Sequence, residues 1–445
     1  MNNYIKYDNQ VSWGRTLHAS HEIAFPKFSS QLENIIKQGS ANKNGLLAIG
    51  MGRSYGDSCL NDNGAVIDMT ALNRLISFDE KTGVLFAQAG ISLEDILDFS
   101  IPRGFFLPVT PGTRYVTLGG AIANDVHGKN HSNAGTIGNF VNEIGLMRTD
   151  GSFHKLTPNK NIGLFKATIG GLGLTGVITY VGLKLKPIKS SLMDAETIKF
   201  ANLDEFFSLA KESEKNFEYS VAWIDCLAKG ESLGRGLFSR ANHSINGDLS
   251  IEKGLSLPDI PIDAPNFALN RFSIAAFNQV YYAAGGRKKD LSQISCFPFF
   301  YPLDFIGKWN KLYGKRGMYQ YQSVVPTDVA KDATKEMLEQ IAKAAQGSFL
   351  VVLKTLGKIP STGYMSFPFE GTTLALDFPN RGKSTLDLLA RLDDIVKEAR
   401  GRNYPAKDGR ISAQMIEAGY PQLKKFEKYI DEGMNSSFWR RIKGK

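Results

Sequence analysis

GMGRSYGD (residues 50–57) and PGTRYVTLGGAIANDVHGKNH (residues 111–131) decide how this chain is read. GLLAIG (45–50) reads as a buried strand and runs straight into the first of them. Gly50, Gly52 and Gly56 then lie among small polar residues. Glycine reaches backbone conformations closed to other residues, so several N–H groups can converge on a diphosphate at close range. The second segment repeats the pattern with Gly112, Gly119, Gly120, Ala121 and Ala123. An ordinary tight turn explains either loop alone. Two such loops in one region point to a dinucleotide.

Outward from these loops, residues 1–190 are dense in glycine and β-branched residues. AVIDMT (65–70) and GVLFAQAG (83–90) read as strands, and EIGLMRTDGSFHKLT (143–157) as a hairpin about Asp150–Gly151. SLEDILDFSIPRG (92–104) has a serine cap, apolar residues at helical spacing and a Pro–Gly stop. Gly171, Gly173 and Gly176 satisfy the G-x-G-x-x-G expression. That motif needs a strand before and a helix after. Here a helical LFKATI precedes it and the strand VITYVGLKLKP (177–187) follows, which excludes a Rossmann nicotinamide site.

Beyond residue 190, helical patterns at 203–215, 328–346 and 383–401 alternate with strand-like runs at 219–228, 317–326, 348–357 and 372–379. This predicts an antiparallel sheet with helices on one side. Residues 228–297 are rich in Gly, Ser, Asn and Pro, including PDIPIDAPNF (258–267) and AAGGRKKD (283–290), and are expected to form long, partly mobile loops. Gln320 and Gln322 share one strand face, as do Thr373 and Ala375. Such a face lines a cavity or meets solvent. Lys354 stands alone on an apolar strand, and Trp223 reads first as core. His127 and His131 are four apart, but Gly128 and Asn130 argue against a helical metal pair. His127 suits contact with a ring, and His131 a structural role. In YPAKDGR (404–410), Lys407 is either part of a surface turn or a reactive amine, since desolvated lysine loses its charge readily.

At 445 residues the chain has room for two or three domains at about 150 residues each. Hydrophobic residues at 42% and charged residues at 22% exclude wholesale disorder. Cys59, Cys226 and Cys296 lack disulfide or zinc spacing, so a reduced compartment is expected. No apolar signal-like segment opens MNNYIKYDNQVSWGR, and no apolar run suits a membrane span. The net charge of +9 is spread along the chain without a Lys/Arg block, which speaks against a nucleic-acid reader.

WGRT (13–16), the two glycine segments, GGLGLTGVI (170–178), YQYQSVVP (319–326), LDFP (376–379) and YPAKDGR together resemble the decaprenylphosphoryl-ribose oxidases, a branch of the vanillyl-alcohol-oxidase-like flavoproteins. The resemblance runs from about Trp13 to the C-terminal helix and is weak over 228–297. It implies an α+β, two-domain fold: an FAD-binding domain of residues 1–189 completed by 402–445, and an antiparallel-sheet substrate domain of 190–401. It implies that Ala48, Ile49, Gly50, Met51, Gly52, Arg53, Ser54, Tyr55, Gly56, Asp57 and Ser58 cradle FAD. Gly112, Thr117, Leu118, Gly119 and Gly120 are expected to join them, as are Asn124, Asp125, Val126 and His127, with Ile178 and Tyr404. Lys407 matches the family's essential lysine, and His127 is the second catalytic candidate. Lys129, Trp223, Gln320, Gln322 and Lys354 fall at substrate-pocket positions. Ala375 and Phe300 depart from the family's usual cysteine and tyrosine.

The first loop carries no histidine, so non-covalent FAD is expected, and no metal. The implied reaction oxidises the 2′-hydroxyl of a polyprenyl-phosphoryl ribose to the keto sugar. A short-chain dehydrogenase-type keto-reductase would act as partner. The expected setting is cytoplasmic, peripheral to a membrane. The alternatives are an alditol or sugar-lactone oxidase on a soluble polyol, and a flavin- or lipid-phosphate-binding protein without turnover.

Overall fold

The strand expected at 45–50 forms at Leu46–Ile49 and pairs in parallel with Ala65–Asp68. In this computed structural model, which describes residues 3–254, 257–285 and 291–444, those strands belong to a four-stranded sheet. His18–Ala24 and Ile5–Val11 complete it. Helix Leu32–Ser40 packs Leu32, Ile35 and Ile36 into the core this sheet shares with Leu46 and Ile67.

A second, five-stranded sheet is antiparallel throughout and runs Leu75–Asp79, Val84–Gln88, Val177–Lys184, Val141–Met147, Phe153–Leu156. The predicted hairpin closes its edge, with Gly151 at φ 85°. Ser92 caps helix Leu93–Ser100 by accepting from the Asp95 N–H at 3.0 Å, a bond of a kind that contributes about 1 kcal/mol. The G-x-G-x-x-G glycines lie between helix Ile162–Thr168 and strand Val177–Lys184, the inverse of the Rossmann order.

The third sheet has eight strands, all antiparallel. Its order is Ser292–Ser295, Leu192–Phe200, Gly236–His243, Tyr219–Ile224, Val351–Leu356, Gly371–Pro379, Met318–Pro326, Arg402–Asn403. Side chains on a strand alternate between faces. Leu374, Leu376 and Phe378 therefore join Leu353 in a core with Phe206, Met337, Leu338, Ile341, Leu388 and Leu392 from helices Leu203–Ser213, Ala330–Ala344 and Lys383–Glu398. Thr373, Ala375, Gln320, Gln322 and Lys354 face the other way and line a cavity. The tail touches both halves. Arg402–Asn403 extends this sheet, while helix Ser437–Lys443 packs on the turn Asp57–Cys59 through Arg441, whose guanidinium holds Asp57 at 2.7 and 2.9 Å.

Residues 228–297 are more regular than expected. They hold a central strand, Gly236–His243, the helix Arg271–Ala284, the edge strand Ser292–Ser295 and the short helix Cys296–Phe300. The long helix escapes a periodicity reading because its buried stripe is only Ile274 and Asn278, while Phe272 and Val280 are exposed. Asn270 starts it by accepting from the N–H groups of Phe272 and Ser273. Of the two loops expected there, 258–267 has no regular structure, and residues 286–290 of AAGGRKKD lie outside the described residues. No helix among the described residues is long and apolar enough to cross a membrane.

Candidate active site

A cavity of about 1240 Å³ lies between the glycine loops and the polar face of the eight-stranded sheet. Trp13 and Gly14 fix the first loop, donating from their N–H groups to the carbonyls of Ser54 and Tyr55 at 3.0 and 3.2 Å. A Cβ on Gly14 would stand 2.7 Å from the Tyr55 and Met318 carbonyls, so only glycine allows this approach. The Arg53 guanidinium stacks on Trp13, 4.0 Å from the ring centroid, and donates to the Tyr115 carbonyl at 3.1 Å. The second loop meets the first where Gly50 abuts Thr117, whose hydroxyl accepts from the Gly120 N–H at 3.2 Å.

The loops suit FAD on two observations. Gly52 and Gly112 front open space, with nothing within 4 Å of a Cβ placed there. Among the described residues, nothing accepts from the N–H groups of Met51, Gly52, Arg53 or Ser54, all of which belong to residues lining the cavity. Unpaired N–H groups on a glycine loop are the donors a diphosphate needs.

YPAKDGR docks onto the same loop. The Tyr55 N–H donates to the Ala406 carbonyl at 3.0 Å, and a Cβ on Gly56 would overlap the Asp408 backbone. This seats the Lys407 ammonium 4.2 Å from the centroid of the Tyr55 ring. Burial pulls Lys407 down to about 8, opposed by the charge of Asp377. The Tyr404 hydroxyl donates to the Asn124 carbonyl at 2.8 Å, and its ring stacks on Phe367.

His127 sits under Gln322. The Gln322 amide nitrogen is 3.1 Å from His127 Nε2 and 3.2 Å from the Thr373 hydroxyl. With the amide donating, Nε2 accepts and the ring proton rests on Nδ1. Burial, aided by Lys354, His131 and Lys407, holds His127 well below the usual histidine range, so the ring is neutral. Burial and the neighbouring Lys354 pull Lys129 down to about 7; burial and Lys407 pull Lys354 down to about 8. Lys129 donates to the Phe299 carbonyl and Lys354 to the Gly128 carbonyl at 3.3 Å. Among the described residues, no carboxylate lies in ion-pair contact with Lys129, Lys354 or Lys407. Three lysines thus line one cavity with no carboxylate in ion-pair contact among the described residues.

The remaining residues divide plainly. Ala48, Ile49, Ser54, Tyr55, Ser58, Val126, Trp223 and Gln320 also line the cavity. Trp223 donates from its indole to the Phe349 carbonyl at 2.9 Å and meets Tyr281 edge-on. Gly56, Asp57, Leu118, Gly119, Asp125 and Ile178 are not brought to its wall. Leu118 points into the core, Gly119 packs on Ala89, and Ile178 pairs with Leu146. Asp125 accepts from Ser366 and from the Gly138 N–H at 2.9 Å. His131 accepts at Nδ1 from the Gly357 N–H at 3.2 Å. One residue went unremarked in the sequence: Asp377, fully buried opposite Gln320, whose amide donates to it at 2.6 Å. Its signal was present, since it continues the alternation of Thr373 and Ala375.

Residues 21–157 match the family model described as FAD binding domain. Fold, cavity and match define an FAD-dependent oxidoreductase acting on CH–OH groups. The chain is 36% identical over 430 residues to decaprenylphosphoryl-beta-D-ribose oxidase of Mycolicibacterium smegmatis, covering 93% of this chain and 91% of that one. It belongs to the decaprenylphosphoryl-β-D-ribose oxidase family. An uncharacterized protein of Streptomyces coelicolor is 29% identical over 76% of this chain and 94% of its own length. A putative D-arabinono-1,4-lactone oxidase of Neurospora crassa is 26% identical over 40% of this chain and 32% of its own length.

Proposed function

We propose that the chain oxidises the 2′-hydroxyl of a polyprenyl-phosphoryl ribose to the keto sugar, the first half of an epimerisation toward the arabinose. The observation that carries this reading is the placement of Lys407 in one cavity with two further lysines free of carboxylate partners and with the glycine loops. FAD, bound non-covalently, supplies the hydride acceptor. Lys407 in its neutral form takes the hydroxyl proton as the C–H bond breaks, and in its charged form steadies the developing alkoxide. Lys129 and Lys354 hold the phosphate or sugar. Gln322 fixes His127 as a neutral ring with its proton on Nδ1, which suits donation to the flavin or the sugar rather than proton abstraction.

In this reading residues 1–189 and most of 402–445 serve the flavin, and 190–401 the substrate. Leu257, Phe277, Tyr281 and Phe305 are exposed large side chains that also line the cavity. An apolar mouth favours a lipid-linked sugar over a soluble polyol. The same rim is the proposed peripheral contact with the cytoplasmic side of a membrane, and the keto product passes to a short-chain dehydrogenase-type reductase. Anaerobic mixing with polyprenyl-phosphoryl ribose and with free alditols tests the reading. Bleaching by the lipid-linked sugar alone supports it; bleaching by the alditols alone, or by neither, refutes it.

A further inference from the structure

One row of side chains crosses five strands of the eight-stranded sheet. Gln322 stands opposite Ala375, Ala375 opposite Val352, Val352 opposite Trp223, and Trp223 opposite Leu237. All five line the cavity. With strands about 4.8 Å apart, the row runs roughly 19 Å outward from the residue that contacts His127. From Ala375 on it is apolar, and its one polar atom, the Trp223 indole nitrogen, is spent on the Phe349 carbonyl at 2.9 Å. The helix Arg271–Ala284 roofs the far end. Tyr281 meets Trp223 edge-on at 4.7 Å between centroids, Phe277 stacks on Tyr281 at 5.6 Å, and Phe349 closes the corner 5.6 Å from Phe277. Phe277 and Tyr281 line the cavity yet remain exposed. They lie four residues apart on one helix face, so that face has an apolar partner still to cover it.

The lysines sit at the inner end of this row. Lys354 follows Val352 by two residues, hence on the same face of its strand. Lys129 is tied to the strand that carries Trp223, its carbonyl accepting from the Ser220 N–H at 2.9 Å. Its ammonium lies 4.5 Å from the centroid of the Phe299 ring. Cationic groups thus give way directly to an apolar floor and an aromatic roof, the sequence of surfaces that a lipid phosphate presents in reverse. We propose that the row from Ala375 to Leu237, under Phe277 and Tyr281, is the groove for the first isoprene units of the substrate, with the phosphate at Lys129 and Lys354. The inference rests on the reading of the substrate as a polyprenyl-phosphoryl sugar. A free sugar or a nucleotide in this groove would leave its polar groups without partners, whereas an isoprenoid chain buries the exposed rings.

Calorimetry on the FAD-loaded enzyme tests the groove without turnover. The probes are dimethylallyl, geranyl and farnesyl phosphate, each below its aggregation concentration. Affinity should rise by at least about tenfold with each added isoprene unit, since each unit buries several methylene equivalents. Phe277→Ser with Tyr281→Ser removes two rings that are no part of the helix's buried stripe, Ile274 and Asn278. It should shrink the farnesyl-to-dimethylallyl affinity ratio by about tenfold or more. Equal affinities for the three phosphates, or a ratio unchanged in the double variant, overturns the proposal. Anaerobic bleaching separates this outcome from the reading beneath it. Chain-length-dependent binding of the phosphates with no bleaching by any prenyl-phosphoryl ribose supports the groove and condemns the substrate reading. Bleaching with one half-saturating concentration at every prenyl length supports the substrate reading and condemns the groove.

Discussion

Lys407 and His127 are both basic groups in one cavity, and their surroundings separate them. Burial and nearby lysines keep the imidazole neutral, with Gln322 at Nε2. Lys407 sits lower than an ordinary lysine because it is buried, yet close enough to neutrality to exchange a proton. Lys407→Ala should therefore retain fold and yellow colour but lose about 10²–10⁴-fold in the rate of flavin reduction, measured anaerobically by stopped flow. His127→Ala should lose less; a greater loss there would make the histidine the base. The pH dependence has a definite sign. If Lys407 takes the hydroxyl proton in its neutral form, as proposed, reduction should slow as pH falls below about 8 and level off above it. A rate that rises toward acid would contradict this.

At the scale of elements, the glycine loops were legible because glycine there answers a local steric demand. Gly50 shows it: a Cβ would stand 2.1 Å from the Thr117 hydroxyl. Gly50→Ala should part the two loops, and the purified protein should carry less FAD, read as the flavin-to-protein absorbance ratio; full occupancy would refute the contact. The capped helix Leu93–Ser100 and the hairpin at Gly151 were equally local. Asp377 was not, because its partner Gln320 stands 57 residues away and meets it only through the strand register. The helix Arg271–Ala284 was hidden for the opposite reason: its apolar residues face outward, so no burial pattern marks it. Lys354 pairs with Thr373 across strands and reaches the cavity from the sheet face. Lys354→Ala should mainly weaken substrate binding, raising the substrate concentration for half-maximal bleaching more than it lowers the limiting rate.

Across the whole molecule, the polar face of one sheet is set against two loops of another unit, and the chain tail carries Lys407 between them. The helix that brings Phe277 and Tyr281 to the cavity also exposes Phe272 and Val280. If that helix meets a bilayer, Phe272→Ser with Val280→Ser should reduce sedimentation with anionic liposomes at low salt while leaving FAD content unchanged; equal sedimentation would remove the membrane from the account. The absence of histidine from the first loop predicts that acid precipitation frees all yellow colour into the supernatant. The most direct test of the central claim follows the bond that breaks. Polyprenyl-phosphoryl ribose carrying deuterium at the 2′ carbon should bleach the flavin several-fold more slowly than the protiated compound in anaerobic single turnovers. Equal rates, or no bleaching by either, would contradict oxidation at that position.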